Sequence, residues 1–377
     1  MEFETFSVYS ADELTEKVRE CSCRALPTLG ILFVSPALGI PSIADSVRGF
    51  GFPVFGCSTA GEILTGQGQD PVFEQSAVCC LLHSSPSSFS VRLFEREGIT
   101  SFDLGKRVGS WGAEVFEHPL FIIAVSGLTN DGEAIIKGMM SSLPKGTIII
   151  GGVAADDNAL EKTLVFSHEN MTEDGAVALV MDAAQISLSS FTTSGWKGIG
   201  AGMTVTASEG NVVKTIDGKP PIDLLAEYLN IRKEDVVPTA LSFPMLVQRP
   251  DGCEVLRTAL SADFETGTLT YAGSVPQGAT IRFSSSFGGE TIETTIRDLK
   301  AGKAQHPDAD LILLFSCCAR HQAAGNQIVD EIRVIADLWK VPVIGFFTYG
   351  EIGHTSSDAC DFFNETISLA LIRFGEM

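Results

Sequence analysis

The feature that most constrains this fold is a short stretch that occurs twice. Pro53 to Ile63 reads PVFGCSTAGEI, and Pro342 to Ile352 reads PVIGFFTYGEI. Both begin Pro-Val, pass through apolar residues and a glycine, and close on Thr-x-Gly-Glu-Ile. Gly56/Gly345, Thr59/Thr348, Gly61/Gly350, Glu62/Glu351 and Ile63/Ile352 therefore coincide. An apolar run that ends in this way reads as a buried strand entering a tight turn. Two copies at opposite ends of a chain predict a duplicated element and, with it, a duplicated site.

The flanking segments repeat too. The order strand, helix, motif strand, strand, strand is predicted over residues 30–34, 41–50, 54–57, 77–83 and 89–95. It recurs over 120–126, 131–143, 147–150, 163–167 and 175–189, where the motif becomes IIIGGVAADD and Thr-x-Gly-Glu gives way to Val-Ala-Ala-Asp. A third round starts at residue 310 (LILLFSCC), continues through a helix over 323–339 and the second motif, and ends on a strand over 366–374. An amphipathic helix over 11–24, capped by Ser10, precedes the first round. Residues 195–305 break the series with the Gly-rich GIGAGM, a strand over 212–216, a helix over 221–229 and a Thr/Ser/Gly-rich alternating run. The predicted class is α/β: a two-lobed protein of mixed β-sheets covered by helices, built from repeated strand-helix-strand-strand-strand units. At 377 residues the chain exceeds the usual size of a single core. Asp217-Gly218 and Pro220-Pro221 mark the division, into 1–218 and 219–377.

An excess of 47 acidic over 26 basic residues, a formal charge of -21, makes nucleic acid and anionic membranes poor partners. The amino terminus is acidic where a signal peptide would be basic, and no apolar run is long enough to span a bilayer. These features predict a soluble, cytoplasmic protein. The nine cysteines include no Cys-x-x-Cys, so reduced thiols are expected and no metal site.

At the end of a buried strand, glycine lets a ligand approach the backbone, threonine donates and accepts, and glutamate fixes an ammonium group. Thr59/Glu62 and Thr348/Glu351 could thus line one cleft shared by two lobes. The alternative is that Gly61 and Gly350 serve turns and each glutamate binds nearby backbone amides. Arg320, after the strand end FSCC, suits a ligand carboxylate, which with Glu62 or Glu351 would select a zwitterion such as an amino acid; a structural ion pair explains it equally well. Cys317 beside that guanidinium is a candidate reactive thiol, or simply a core residue. Gly56-Cys57-Ser58-Thr59-Ala60 approximates the nucleophile elbow of an α/β hydrolase, with Ser58 as nucleophile. Phe347 stands at the matching place in the second copy, so the duplicated element does not depend on that hydroxyl.

GCSTAGEI, IIIGGVAADD, VTASEGNVVKTIDGKPPIDLL, FSCCAR and FFTYGEIG…FNETISL occur in an order that resembles the FIST family, with its N-terminal domain over 1–218 and its C-terminal domain over 219–377. The resemblance implies an intracellular sensor of small molecules in signal transduction, not an enzyme, that reports to a partner such as a histidine kinase or cyclase. The candidate ligand-binding residues at the motif strand ends are Cys57, Ser58, Thr59, Gly61, Glu62, Cys317, Arg320, Thr348, Tyr349, Gly350, Glu351 and Asn364. Part of the family resembles haem-binding nitric oxide sensors. Phe363 occupies the place of a histidine found in those members, which leaves His354 or His321 as the axial ligand if haem binds.

Overall fold

Strands in which every residue is buried, such as Leu29–Val34, Pro119–Val125 and Leu311–Cys317, must lie inside a layer covered on both faces. In the computed structural model, which describes residues 2–375 apart from 67, 69, 250–251, 285–287 and 355–359, each is an inner strand of a six-stranded mixed sheet.

The three sheets share one plan. The first runs Glu2–Val8, Ala77–His83, Leu29–Val34, Val54–Ser58, then the hairpin Val165–Ser167/Met171–Thr172. The second runs Phe89–Glu95, Gly175–Asp182, Pro119–Val125, Ile149–Val153, then the hairpin Glu351–His354/Cys360–Phe363. The third runs Ile186–Thr193, Ile367–Phe374, Leu311–Cys317, Val343–Thr348, then the hairpin Glu62–Leu64/Val72–Phe73. No sheet keeps the hairpin that follows its own motif strand. The first sends its hairpin to the third, the third to the second, and the second to the first.

This plan differs from the order expected from sequence: the run 175–189 divides into Gly175–Asp182 of the second sheet and Ile186–Thr193 of the third, and the strand expected over 163–167 lies in the first sheet as Val165–Ser167. Glu2–Val8 is a strand along the whole of Ala77–His83. Phe89–Glu95 opens the second sheet, because it pairs with Gly175–Asp182 rather than with its predecessor in sequence.

The inner faces of the sheets meet in one core, where Phe33, Phe315 and Phe346 lie with ring centroids 4.7–6.4 Å apart. Helices cover the outer faces: Ala11–Ser22 and Ile40–Arg48 on the first, Ser101–Val115 and Gly132–Ser141 on the second, Ile328–Trp339 on the third. Between Ile186–Thr193 and the helix Gly289–Gln305 the chain departs to form a seven-stranded antiparallel sheet with its own core around Val205, Val213, Leu269 and Ile281. The Asp217-Gly218 turn, where the sequence suggests a division, lies within this inserted unit, and strands from both sides of it share sheets.

The motif glycines Gly56 and Gly345 are small for want of space. A Cβ on Gly345 would lie 1.9 Å from the Leu314 carbonyl oxygen, and one on Gly56 2.2 Å from the Phe166 ring. Backbone cannot yield as a flexible side chain does. Gly345→Ala is expected to destabilise the protein by about 3 kcal/mol, read as a lower urea midpoint at unchanged slope.

Candidate functional site

The duplicated Thr-x-Gly-Glu turns stand where the chain leaves one sheet for the next. Thr59 Oγ1 donates to Glu62 Oε1, while Ser76 donates to Glu62 Oε2 from its backbone N–H at 3.3 Å and its hydroxyl at 2.5 Å. The second copy repeats this: Thr348 Oγ1 donates to Glu351 Oε1, and Thr366 donates to Oε2 from its N–H at 3.2 Å and its hydroxyl at 2.8 Å. All six residues are buried, both glutamates completely. Ser76 and Thr366 immediately precede the last strand of their own round, so each carboxyl clips the exported hairpin back to the sheet it came from. In the middle round the equivalent ladder position, opposite Cys57 as Glu62 is opposite Phe346 and Glu351 opposite Gly152, holds Val165. The clip there is apolar.

Burial raises Glu62 and Glu351 to about 8 against the hydrogen bonds, which favour the charged form. Burial thus shifts both turn carboxyls toward the neutral form. Their unfolded pKa is near 4.5, so the folded state binds the extra proton. This contribution to stability is full below pH 4.5 and is lost as pH rises through 8. Glu62→Gln and Glu351→Gln should therefore gain on the order of 1–3 kcal/mol relative to the parent between pH 5 and pH 8, in chemical denaturation at the two pH values.

The remaining candidates are also committed within the fold. Arg320 is completely buried and every N–H has an acceptor: Nε and Nη2 bind Glu331, Nη2 binds Thr295 Oγ1 at 3.0 Å, and Nη1 binds the carbonyls of Ser194 and Glu365. A structural ion pair replaces the expected carboxylate clamp. Cys317 is a free, buried thiol, and its hydrogen bond with Cys318 together with burial holds it well above its usual range, which disfavours a thiolate beside Arg320. Ser58 Oγ accepts from the Leu164 N–H at 2.8 Å, and Cys57 is a fully buried thiol pushed up by desolvation. Neither is placed as a nucleophile. Tyr349 donates its hydroxyl to Asp156, which also accepts from the amides of residues 160–162. Gly61 takes a left-handed φ of 107°, whereas Gly350 is excluded from carrying a side chain by the Phe362 ring, 2.3 Å from where a Cβ would lie. Asn364 is buried, and its Oδ1 has no partner among the described residues.

An open cavity lies elsewhere, between the inserted sheet and the three-sheet body. It has a volume of about 870 Å³, within the usual range for small-molecule sites. One wall is residues 189–194 with Trp196; the other is Leu246 and residues 254–256; His306, His354, Phe363 and Thr366 are among the others that line it. Arg320 shapes it from behind, by holding the Ser194 and Glu365 carbonyls and lying 5.1 Å from the Trp196 ring centroid. Thr366 joins the cavity to the Glu351 clip.

Beside the cavity the two units are joined by charges. Arg249 makes a two-pronged pair with Asp361, at 2.6 and 3.2 Å, and lies 3.7 Å from Glu133. Glu133 accepts from the Ser274 amide and hydroxyl, at 3.0 and 2.7 Å, and faces the buried Arg257 at 3.7 Å. Burial raises Glu133, but hydrogen bonds from Lys137 and Ser274 and the Arg257 charge outweigh it and hold the carboxyl down to about 2. Arg257 also donates to the Phe362 carbonyl, and Thr258 to Glu365.

The two candidate histidines lie in different settings. His354 lines the cavity, yet its Nε2 accepts the Ile149 N–H at 3.1 Å. His321 stacks on Phe347 with centroids 4.0 Å apart, and burial lowers its pKa. Among the described residues no group of three or more His, Cys, Asp or Glu side chains could hold a metal ion, and no helix is long and apolar enough to cross a membrane.

Comparison with known proteins extends these observations. Residues 28–219 match the FIST N domain and residues 221–354 the FIST C domain. Uncharacterized protein Rv0628c of Mycobacterium tuberculosis (strain ATCC 25618 / H37Rv) is 24% identical over 311 residues, 80% of this chain and 78% of that protein. Uncharacterized protein Mb0898c of Mycobacterium bovis is 24% identical over 297 residues, 76% and 75% of the two chains.

Proposed function

Because the chain belongs to the FIST family, whose domains are sensory domains of signal-transduction proteins, we propose that it senses a small ligand of the amino-acid class held between the inserted sheet and the three-sheet body. The observation that carries this reading is the cavity itself, whose walls come from both units and which adjoins the charges that join them. A ligand that touches both walls favours one relative placement of the two units over another, and can shift their equilibrium by as much as its differential affinity for the two. The Arg249–Asp361–Glu133 network is suited to hold one such placement. A signalling partner such as a histidine kinase or cyclase that contacts both units would read the change.

The motif residues support the site from behind. Thr366, clipped to Glu351, and the carbonyls held by Arg320 give the cavity a stiff back wall. Stiff support of this kind lets ligand contacts act on the interface rather than dissipate locally.

Filling the cavity tests the reading. The half-buried Leu246 lines it, and Leu246→Trp should lower the amount of co-purifying small molecule seen by native mass spectrometry at least tenfold while circular dichroism stays unchanged. Retention of the same ligand by the filled variant would refute the assignment. Arg249→Ala should leave the ligand bound but abolish the ligand-dependent change in hydrogen exchange across residues 245–248 and 360–363.

A further inference from the structure

The cavity runs along the outer edges of two sheets. Ile186–Thr193 is outermost in the third sheet and, among the described residues, pairs only with Ile367–Phe374. Glu254–Arg257 is outermost in the inserted sheet and, among the described residues, pairs only with Met245–Gln248. In an antiparallel ladder, residues whose N–H and C=O face the partner strand alternate with residues whose groups face away. The Gly375 N–H donates to the Gln185 carbonyl, and the Asp310 N–H donates to Ile372 on the other side of Ile367–Phe374. Those bonds set the phase: Ser189, Phe191 and Thr193 face the partner, and Ser190 and Thr192 turn their backbone groups outward. On the second edge the Arg249 N–H donates to the Cys253 carbonyl, which turns Val255 inward and Glu254 outward. Ser190, Thr192 and Glu254 all line the cavity.

The shape of the site is as informative as its edges. Residues 189–194 line it without a break, and at about 3.3 Å per residue they make a groove on the order of 17 Å long. A single amino acid occupies about 3.4 Å of such an edge, so about four or five residues fill it. Among the described residues no Lys or Arg lines the cavity, Glu254 does, and the chain carries a formal charge of -21. That balance favours a neutral or basic guest over an acidic one.

We infer that the ligand is a short, neutral or basic peptide, about four or five residues long, that lies extended in the groove and adds a strand to the Ile186–Thr193 edge. Its backbone pairs with Ser190 and Thr192, while its side chains alternate between the groove walls and the opening. This inference rests on the reading of the cavity as the sensory site, and it narrows the amino-acid class to peptides.

The test uses calorimetry on the full-length protein with three probes: a tetrapeptide library built from Gly, Ala, Ser, Val and Lys, the same library N-methylated at every internal amide, and the free amino acids. The unmodified library should bind, and N-methylation should weaken it at least tenfold. Thr192→Pro removes one outward N–H on an edge strand, where proline is tolerated, and should cost a similar factor. Equal binding of the methylated library, or free amino acids binding as tightly as tetrapeptides, would overturn the peptide inference and leave the small-ligand reading standing. If no probe binds, the peptide inference is overturned, and if the protein also carries no co-purifying ligand the cavity reading falls with it. Should Thr192→Pro fail to fold, the methylated library decides alone.

Discussion

The exchange of hairpins among the three sheets is the constraint on which the rest of this structure depends. Each motif strand belongs to one sheet and the residues immediately after it to another, so the polypeptide must turn in the middle of a dry core. A buried turn leaves polar groups that water cannot reach. Glu62 and Glu351 answer this by accepting from a threonine within the turn and from the amide and hydroxyl of the residue just before the next strand of the parent sheet. Gly56 and Gly345 let neighbouring atoms crowd against the motif strand just before it turns.

The inserted sheet is the second unit of the structure. Its core takes in Phe363 from the body, and polar and charged contacts made by Arg249, Arg257, Thr258 and Ser274 join it to the body as well. Buried ion pairs add little net stability relative to apolar packing, but they penalise misplacement strongly, because a separated partner is left unpaired. Such a join favours a defined relative position without cementing it. The cavity lies beside that join.

Much of the body was legible in the sequence, and the places where it was not share a cause. The apolar runs, the helix Gly132–Ser141, the turn at Asp217-Gly218 and the two motif copies all reflect local pattern. Glu2–Val8 was missed although EFETFSV alternates, because only its pairing with Ala77–His83 reveals it as a strand. Phe89–Glu95 was placed in the wrong round for the same reason. The Thr-x-Gly-Glu motif was visible, but whether its carboxyl faces a ligand or Ser76 depends on a strand contributed by another sheet. A signal for the clip did exist: a hydroxyl residue stands directly before the final strand of both rounds, at Ser76 and Thr366. The cavity had no local signal, since residues 189–194 with Trp196 on one wall and Leu246 with residues 254–256 on the other are brought together only by the fold.

The hairpin exchange also governs the order in which this protein can mature. The hairpin at Glu62–Phe73 is synthesised early, yet its place in the third sheet is beside Val343–Thr348. During synthesis from the amino terminus it waits, with strand edges open, for nearly the whole chain to emerge. The first sheet likewise lacks its outer hairpin until residues 165–172 are made. Such long-range closure is slow and exposes unpaired edges meanwhile. The body is thus a single cooperative assembly whose last-made strands, Val343–Thr348 and Ile367–Phe374, complete what the first-made ones began, and a nascent chain stalled before them has no finished third sheet to shelter its earliest hairpin.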